Sequence, residues 1–406
     1  MADAYIIDAV RTPRGIGKQG KGALAHLHPQ HLARTVLEAL VDRNGFDTAD
    51  VDDVIWGTSA QQGPQSGDLG RMAALDAGYD ITASGVTLDR FCGSGITANN
   101  LAAHSIMAGM EDLVVGGGTE MMSIKHPNML PMGALNEHLR DLHPQSNQGV
   151  CADAIATIEG IDRDALDALA VESQNRAARA IDEGRFDKSL IPVLNPDGSV
   201  ALDREEFPRP NTTMESLAQL PPSFEKLADM AYPGEPTFRE LINQRYPDLD
   251  IQHVHHAGNS SGVVDGAAAI LWASDDYAKQ HGLKPRARVV ATANMGDDPT
   301  LMLNAPVPAA KKVLARAGMT LDDIDIFEVN EAFAVVAEKF IRDLELDRDK
   351  VNVNGGAMAL GHPIGATGAI LIGTVLDELE RTDQQVGLIT MCAGGGMAPA
   401  IIIERV

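Results

Sequence analysis

The chain has 406 residues, 44% of them hydrophobic and 22% charged, with a formal net charge of -24 at pH 7 and only three cysteines. Such a length and apolar content support a globular protein with two or three domains' worth of core. The acidic balance repels phosphate backbones and anionic membranes, so neither nucleic acid nor membrane is expected as a partner. Cys92, Cys151 and Cys392 are too scattered for a disulfide framework and form no CxxC pair, so no structural metal is expected and a reduced, cytoplasmic setting fits. The start, MADAYIIDAVRTP, lacks a basic stretch before an apolar core, and the end, ERV, is no peroxisomal address.

In chain order, Ala4 to Val10 reads as a first strand running into a Gly- and Lys-rich loop. Its GIGK lacks the full GxxxxGK[ST] pattern, so no nucleotide loop is expected there. Pro29 to Arg43 has Leu32, Val36, Leu37 and Leu40 at helical spacing. Val51 to Gly57 and Val86 to Asp89 read as strands, as does Leu113 to Val115, which the glycines 116 to 118 then end. Alternating strands and helices predict an α/β fold with a mostly parallel sheet covered by helices. From about Met121 to Ile251 prolines and charged helices such as Asp164 to Glu183 dominate, which reads as an insertion; alternation resumes at His256.

Between Val86 and Leu113 lies LDRFCGSGITANNLAAHSIMAG, and from Phe91 to Met110 there are twenty residues with no Asp, Glu, Lys or Arg. A segment of that kind can be buried on every side. Cys92 then stands at a strand-to-helix turn, where free N-H groups and the helix dipole favour thiolate. It reads either as a nucleophile or as one more packing cysteine.

The second half repeats the first. Ala33, Val36 and Leu37 match Ala310, Val313 and Leu314 at an offset of 277, Asp50 to Asp52 match Asp323 to Asp325 at 273, and Cys92, Gly95 and Ala98 fall on His362, Gly365 and Gly368 at 270. A second charge-free run covers the twenty-two residues from Gly355 to Leu376. Two helices without a polar face are most simply set against each other between two sheets with outer helices, giving five layers. Cys92 and His362 would then occupy equivalent turns at the carboxyl ends of strands.

Four motifs stand in loops able to converge: RFCGSG around Cys92, NEAF at Asn330 to Phe333, GHPIG at Gly361 to Gly365, and CAGGG at Cys392 to Gly396. In this order, with YIIDAVRTPRG, EGRFDKSLIPV and GNSSGVVDGAAA, they resemble the thiolases along nearly the whole chain. The resemblance implies a five-layer αβαβα fold of two pseudo-twofold-related βαβαβ halves. Its N-terminal half would take 1–120 and 252–280, a loop domain 121–251, and its C-terminal half 281–406.

It also implies roles. Cys92 is the expected nucleophile and His362 the base that activates it; Asn330, with a water, and His362 form one oxyanion hole. Cys392 is the expected shuttle for the alpha-proton, and the N-H groups of Cys92 and Gly394 form a second hole. Ser261 is expected at the pantetheine arm of coenzyme A and Arg209 at its nucleotide end. Coenzyme A enters as substrate, so no cofactor is expected.

The activity implied is cleavage of a 3-ketoacyl-CoA, with acetoacetyl-CoA synthesis as the reverse and a non-catalytic acyl-CoA or lipid binder as the rival from another class. A decarboxylating ketoacyl synthase would need two histidines where Asn330 and Cys392 stand. Asn147, Gln148 and Gly149 replace the His-Met-Gly of many biosynthetic members, and Met121 to Gln148 is short for a tetramer clamp, so a homodimer is expected, with a homotetramer as the alternative. The ending looks closest to degradative bacterial thiolases, some of which shorten steroid side chains. Met121, Met122, Met129 and Met132 read as an acyl-binding surface or as core. His253, His255 and His256 stand on a strand-like segment where no metal is expected, and Cys151 reads as packing.

Overall fold

A computed structural model describes residues 3–125 and 132–406. In its first part, strands β1 (Ala4–Arg11), β2 (Gly15–Ile16), β3 (Asp53–Gly57), β4 (Val86–Leu88) and β5 (Leu113–Met121) alternate with helices α1 (Pro29–Asn44), α2 (Leu69–Asp76) and α3 (Ser94–Met107). Next come helices α4 (Glu137–Leu142), α5 (Gln148–Glu159) and α6 (Arg163–Asp182), then a hairpin of β6 (Val193–Leu194) and β7 (Val200–Leu202), then the short α7 (Met214–Ala218), α8 (Glu225–Ala228) and α9 (Phe238–Asn243). The long β8 (Val264–Ser274) and α10 (Asp275–His281) follow. The last part holds β9 (Ala287–Gly296), α11 (Pro306–Ala317), β10 (Ile326–Val329), α12 (Ala334–Asp343), α13 (Ala357–Leu360), α14 (Ile364–Thr382), β11 (Val386–Thr390) and β12 (Met397–Arg405).

The strands lie in the order β10-β11-β12-β9-β1-β8-β5-β3-β4, with β2 on β8. The run β9-β12-β11-β10 repeats β1-β8-β5-β3, so the two halves meet at β1 and β9. Only Tyr5↔Arg288 and Ile6↔Ala287 register there, so the two expected sheets are joined by a narrow antiparallel seam. Side chains then sort by strand period. On β8, Ala268, Ile270 and Trp272 join Ile401 and Ile403 of β12 in one central cluster that also holds Ile96 of α3 and Ile370 of α14. Their neighbours on β8, Ala267, Ala269 and Leu271, face α1 instead, whose Leu32, Val36 and Leu37 share that outer cluster. α11 and α12 cover the second half in the same way, with Ala310, Val313 and Leu314 buried. Five layers result, and the matched residues of the repeat occupy equivalent places in them.

The sheet is mixed, which corrects the expectation of a mostly parallel one. Only β3–β4, β3–β5 and β10–β11 pair in parallel; β8 and β12 run antiparallel to both their neighbours. β12 follows β11 through a short turn, which permits only antiparallel pairing. The glycines 116 to 118 do not end β5 either. A Cβ would meet Asn99 Oδ1 at 2.5 Å from Gly116, the Trp56 ring at 2.4 Å from Gly117 and Gly365 O at 2.0 Å from Gly118, so they are there for close approach within the strand. α3 is buried on most sides but not all, because Leu101 is 44% exposed. Inside, its amides find partners: Asn99 donates to Gly95 O and accepts from Trp272 Nε1.

α3 and α14 touch backbone to backbone. A Cβ at Gly368 would lie 1.9 Å from Ile96 N and 2.4 Å from Gly95 C, neither of which can swing away. Gly368→Ala should therefore destabilise the fold by about 3 kcal/mol or more, read as a lowered midpoint in thermal or urea unfolding; an unchanged midpoint would mean that the helices are not so close.

Candidate active site

The tight helix contact places the two central N-termini side by side. Cys92 precedes α3 in a turn held by Gly93 N-H to Arg90 O, Ser94 N-H to Phe91 O, and Arg90 N-H to Ser94 Oγ at 2.8 Å. Phe91 sits at φ 50°, a conformation costly for an aromatic residue. The turn aims at the β11–β12 connection: a Cβ at Gly93 would be 2.9 Å from the Pro399 ring and 3.4 Å from Ala393 Cβ. Cys392 is the residue before Ala393. A Cβ at Gly394 would meet the Phe91 ring and Met132 Sδ, both at 2.9 Å.

Asn330 follows β10 and its N-H donates to Thr390 O, at the end of β11. Its side-chain Oδ1 and Nδ2 are buried and find no partner among the described residues. The segment from Gly258 to Gly262 threads between the remaining motifs: Ser261 N-H donates to Ala332 O at 3.0 Å, and Gly262 O accepts from His362 N at 2.9 Å. The structure thus brings the turns carrying Cys92, Asn330, His362, Cys392 and Gly394 together, with Ser261 beside them. Arg209 lies at the outer edge and is exposed, its guanidinium 5.7 Å from the Phe207 ring, which in turn packs on Gly262.

The tautomer of His362 follows from its neighbours. Thr367 Oγ1 lies 3.0 Å from Pro363 O and 2.6 Å from His362 Nδ1; with its one proton given to the Pro363 carbonyl, it accepts from Nδ1. The ring proton is therefore on Nδ1, and Nε2 carries a buried lone pair with no partner among the described residues. Burial lowers the imidazole pKa to about 4, so it is neutral at physiological pH.

Both thiols are shifted the other way. Burial first, and then the Glu120 carboxylate, pushes Cys92 up to about 12 although the residue keeps partial surface exposure. Burial and the charge of Cys92 raise Cys392 as well, so the two sulfurs feel each other. The expected helix-dipole thiolate is thus overturned: desolvation outweighs the N-terminus, and the resting pair is neutral thiol with neutral imidazole. Acylation kcat/KM should accordingly stay flat from about pH 5 to 9, with no break near the free-imidazole value. An acid limb at 6 to 7 in a pH profile would contradict this. Below pH 6.5 the unfolded chain binds a proton at His362 that the folded one refuses until about pH 4, so this group lowers stability as the pH falls through that window.

Three contributors escaped the sequence. Glu120, at the end of β5, accepts from Ser59 N, Ala60 N, Gln65 Nε2 and Gly365 N, tying the β3 loop to the start of α14. Thr367 is visible only as a hydroxyl five residues after His362. Ser260, next to the chosen Ser261, has a buried Oγ with no partner among the described residues.

Other candidates settle elsewhere. Met121 packs in the outer cluster with Trp56 and Met122 is half-buried, while Met129 lies outside the described residues. His253 and His255 both bond Asp153, at 2.7 and 2.8 Å, and His256 bonds Asp167 at 2.8 Å, along an extended segment that joins no strand. Cys151 is buried and donates to Thr300 O. A hollow of about 600 Å³ beside Arg176, Arg179 and Asp349 shares no residue with the thiol site.

Fold and sequence together define an acyltransferase. Residues 4–231 match the thiolase N-terminal domain and 283–405 the thiolase C-terminal domain. Similar proteins include the beta-ketoadipyl-CoA thiolase of Acinetobacter baylyi, 39% identical with all of both chains aligned. The steroid 3-ketoacyl-CoA thiolase of Mycobacterium tuberculosis is 39% identical over all of this chain and 95% of its own. The crystal structure of the Bacillus anthracis acetyl-CoA acetyltransferase superposes with a TM-score of 0.83 at 34% identity, covering 100% of this chain and 99% of that one. The chain belongs to the thiolase family.

Proposed function

We propose that this protein is a 3-ketoacyl-CoA thiolase working in the degradative direction. The reading is supported by the two thiols lying close enough to shift one another, by Gly95 of the Cys92 helix packing on Gly365 and Gly368 just after His362, and by a buried His362 Nε2 with no partner among the described residues. In the first step Cys92 Sγ attacks the 3-keto carbon and its proton passes to His362 Nε2. The C2–C3 bond then breaks, and its electron pair becomes the enolate of acetyl-CoA, whose oxygen Asn330, through a water, and protonated His362 hold. Cys392 gives its proton to C2, which releases acetyl-CoA and leaves the shortened acyl group on Cys92. The thiol of coenzyme A loses its proton to Cys392 and attacks that thioester, whose oxygen the Cys92 and Gly394 N-H groups receive. His362 returns the first proton to Cys92, and the balance closes.

In this reading Ser261 meets the pantetheine arm and Arg209, stacked outside on Phe207, the nucleotide end. The inserted unit 121–251 supplies much of the coenzyme A contact, and no cofactor or metal takes part. Run backwards, the same groups would condense two acetyl units, a second reading favoured by relatives such as the acetyl-CoA acetyltransferase of Cupriavidus necator, 38% identical over the whole of both chains. We assign the enzyme to the cytoplasm from its three free cysteines and acidic surface; no helix among the described residues is long and apolar enough to cross a membrane. A homodimer is part of the proposal: β4 is one of the two edges of the sheet, and Val86 on it and Ile81 just before it are exposed.

The test is thiolysis of 3-ketoacyl-CoA esters before and after alkylation with iodoacetamide, with acyl-CoA as protectant. Loss of activity that tracks modification of Cys92, and its protection, supports the proposal. Full activity after complete alkylation of Cys92 overturns it.

A further inference from the structure

Beside the second thiol turn the chain forms a small, partly open hollow that the chemistry above does not use. Its walls are α4 with the residues just before and after it, and the segment from Tyr232 to Leu241 that ends in α9. The cavity is about 40 Å³, lined chiefly by Leu135, Leu139, Tyr232, Phe238 and Leu241. By the same measure a water needs roughly 10–15 Å³, so about three groups of methylene size fit.

Its location ties it to the nucleophile. Met132 Sδ and the Phe91 ring close over Gly394, and Phe91 is the residue before Cys92. Gly133, next to Met132, is a wall of the hollow, with Leu139 Cδ2 3.7 Å from where its Cβ would be. Gln145 is another, and its Oε1 lies 4.0 Å from the Cβ position of Gly395. These contacts set the hollow next to the Cys92 turn, on the side of Met132 and Gly394. The lining also says what kind of chain end suits it. The one arginine there, Arg140, already holds Glu235 at 2.5 Å, and that carboxylate lines the same wall. A substrate ending in a carboxylate would meet an arginine whose charge Glu235 already balances, with His143 as the other basic side chain of the lining.

Resting on the thiolase reading, we infer that the hollow between α4 and the Tyr232–Leu241 segment is the acyl-tail subsite, and that it selects unbranched apolar 3-ketoacyl-CoA esters of medium length. On this inference acetoacetyl-CoA, with no tail beyond its methyl group, leaves the subsite empty, and 3-ketoadipyl-CoA carries the wrong end.

The experiment compares kcat/KM for thiolysis of acetoacetyl-CoA, 3-ketooctanoyl-CoA and 3-ketoadipyl-CoA by the wild type, Leu139→Trp and Leu139→Ala. The wild type should favour 3-ketooctanoyl-CoA over both others by about tenfold. Leu139→Trp should lower the octanoyl value by about tenfold and leave acetoacetyl-CoA within about twofold. Leu139→Ala, which adds room and keeps the fold if the larger residue does not, should raise kcat/KM for 3-ketodecanoyl-CoA, measured as a fourth ester, relative to 3-ketooctanoyl-CoA. A wild type that prefers acetoacetyl-CoA or 3-ketoadipyl-CoA, or Leu139 variants that leave the octanoyl-to-acetoacetyl ratio unchanged, overturn the subsite alone. A wild type that cleaves none of the esters overturns the thiolase reading itself.

Discussion

Replacing Cys392 with alanine is expected to stop turnover while leaving Cys92 able to take up an acyl group. The sulfur of Cys392 is buried, and that burial above all holds the proton on it. It is therefore a group that gives a proton at neutral pH and accepts it back only when a carbon acid or an incoming thiol is in place. Without it the enolate of acetyl-CoA has no acid and returns to the acyl-cysteine. Steady-state thiolysis should fall by about 10²- to 10⁴-fold, the range of a lost general acid and base. Exchange of the acetyl-CoA alpha-protons with deuterated water should be lost, while incubation with an acyl-CoA still adds an acyl group to Cys92, more slowly, because a thiolate can leave without an acid where a carbanion cannot. Loss of both steps together would mean that the two thiols are wrongly divided between roles.

His362→Ala should have an effect as large, with a different dependence on pH. In the wild type the proton of Cys92 has an acceptor, the Nε2 lone pair that Thr367 leaves free by accepting from Nδ1. Remove the ring and the thiol must ionise unaided, against a pKa pushed up to about 12. Acylation near neutral pH should fall by about 10⁴-fold. The residual rate should rise about tenfold per pH unit between roughly 7 and 9, following the thiolate fraction, where the wild type is flat. Stopped-flow acylation across that range reads both slopes; a pH-independent residual rate in the variant would mean that His362 is not the acceptor.

Much of the fold could be read from the chain because it is written twice. The matched triplets on α1 and α11, and the fall of Cys92 onto His362, showed two equivalent halves before any coordinate. Strand direction was less legible: alternation of strands and helices says nothing about β8, which arrives after the insertion, or β12, which returns through a turn. The glycines of β5 looked like a turn because close approach and chain reversal ask for the same residue. Positions near the thiols could be named from four motifs, but their ionisation could not. A helix N-terminus argues for thiolate, whereas the surrounding layers and Glu120, 28 positions after Cys92, argue more strongly for thiol. Such a balance depends on burial, which the order of residues does not state. Arg140 and Glu235, 95 positions apart, are likewise paired only by the fold.

The most direct test mixes the wild-type enzyme with a 3-ketoacyl-CoA in the absence of coenzyme A, quenches in acid, and weighs the protein and its peptides. The account predicts one equivalent of acetyl-CoA released and the shortened acyl mass on the peptide containing Cys92. Acetyl-CoA formed with no acyl group on the protein, or an acyl group on any other residue, would contradict it.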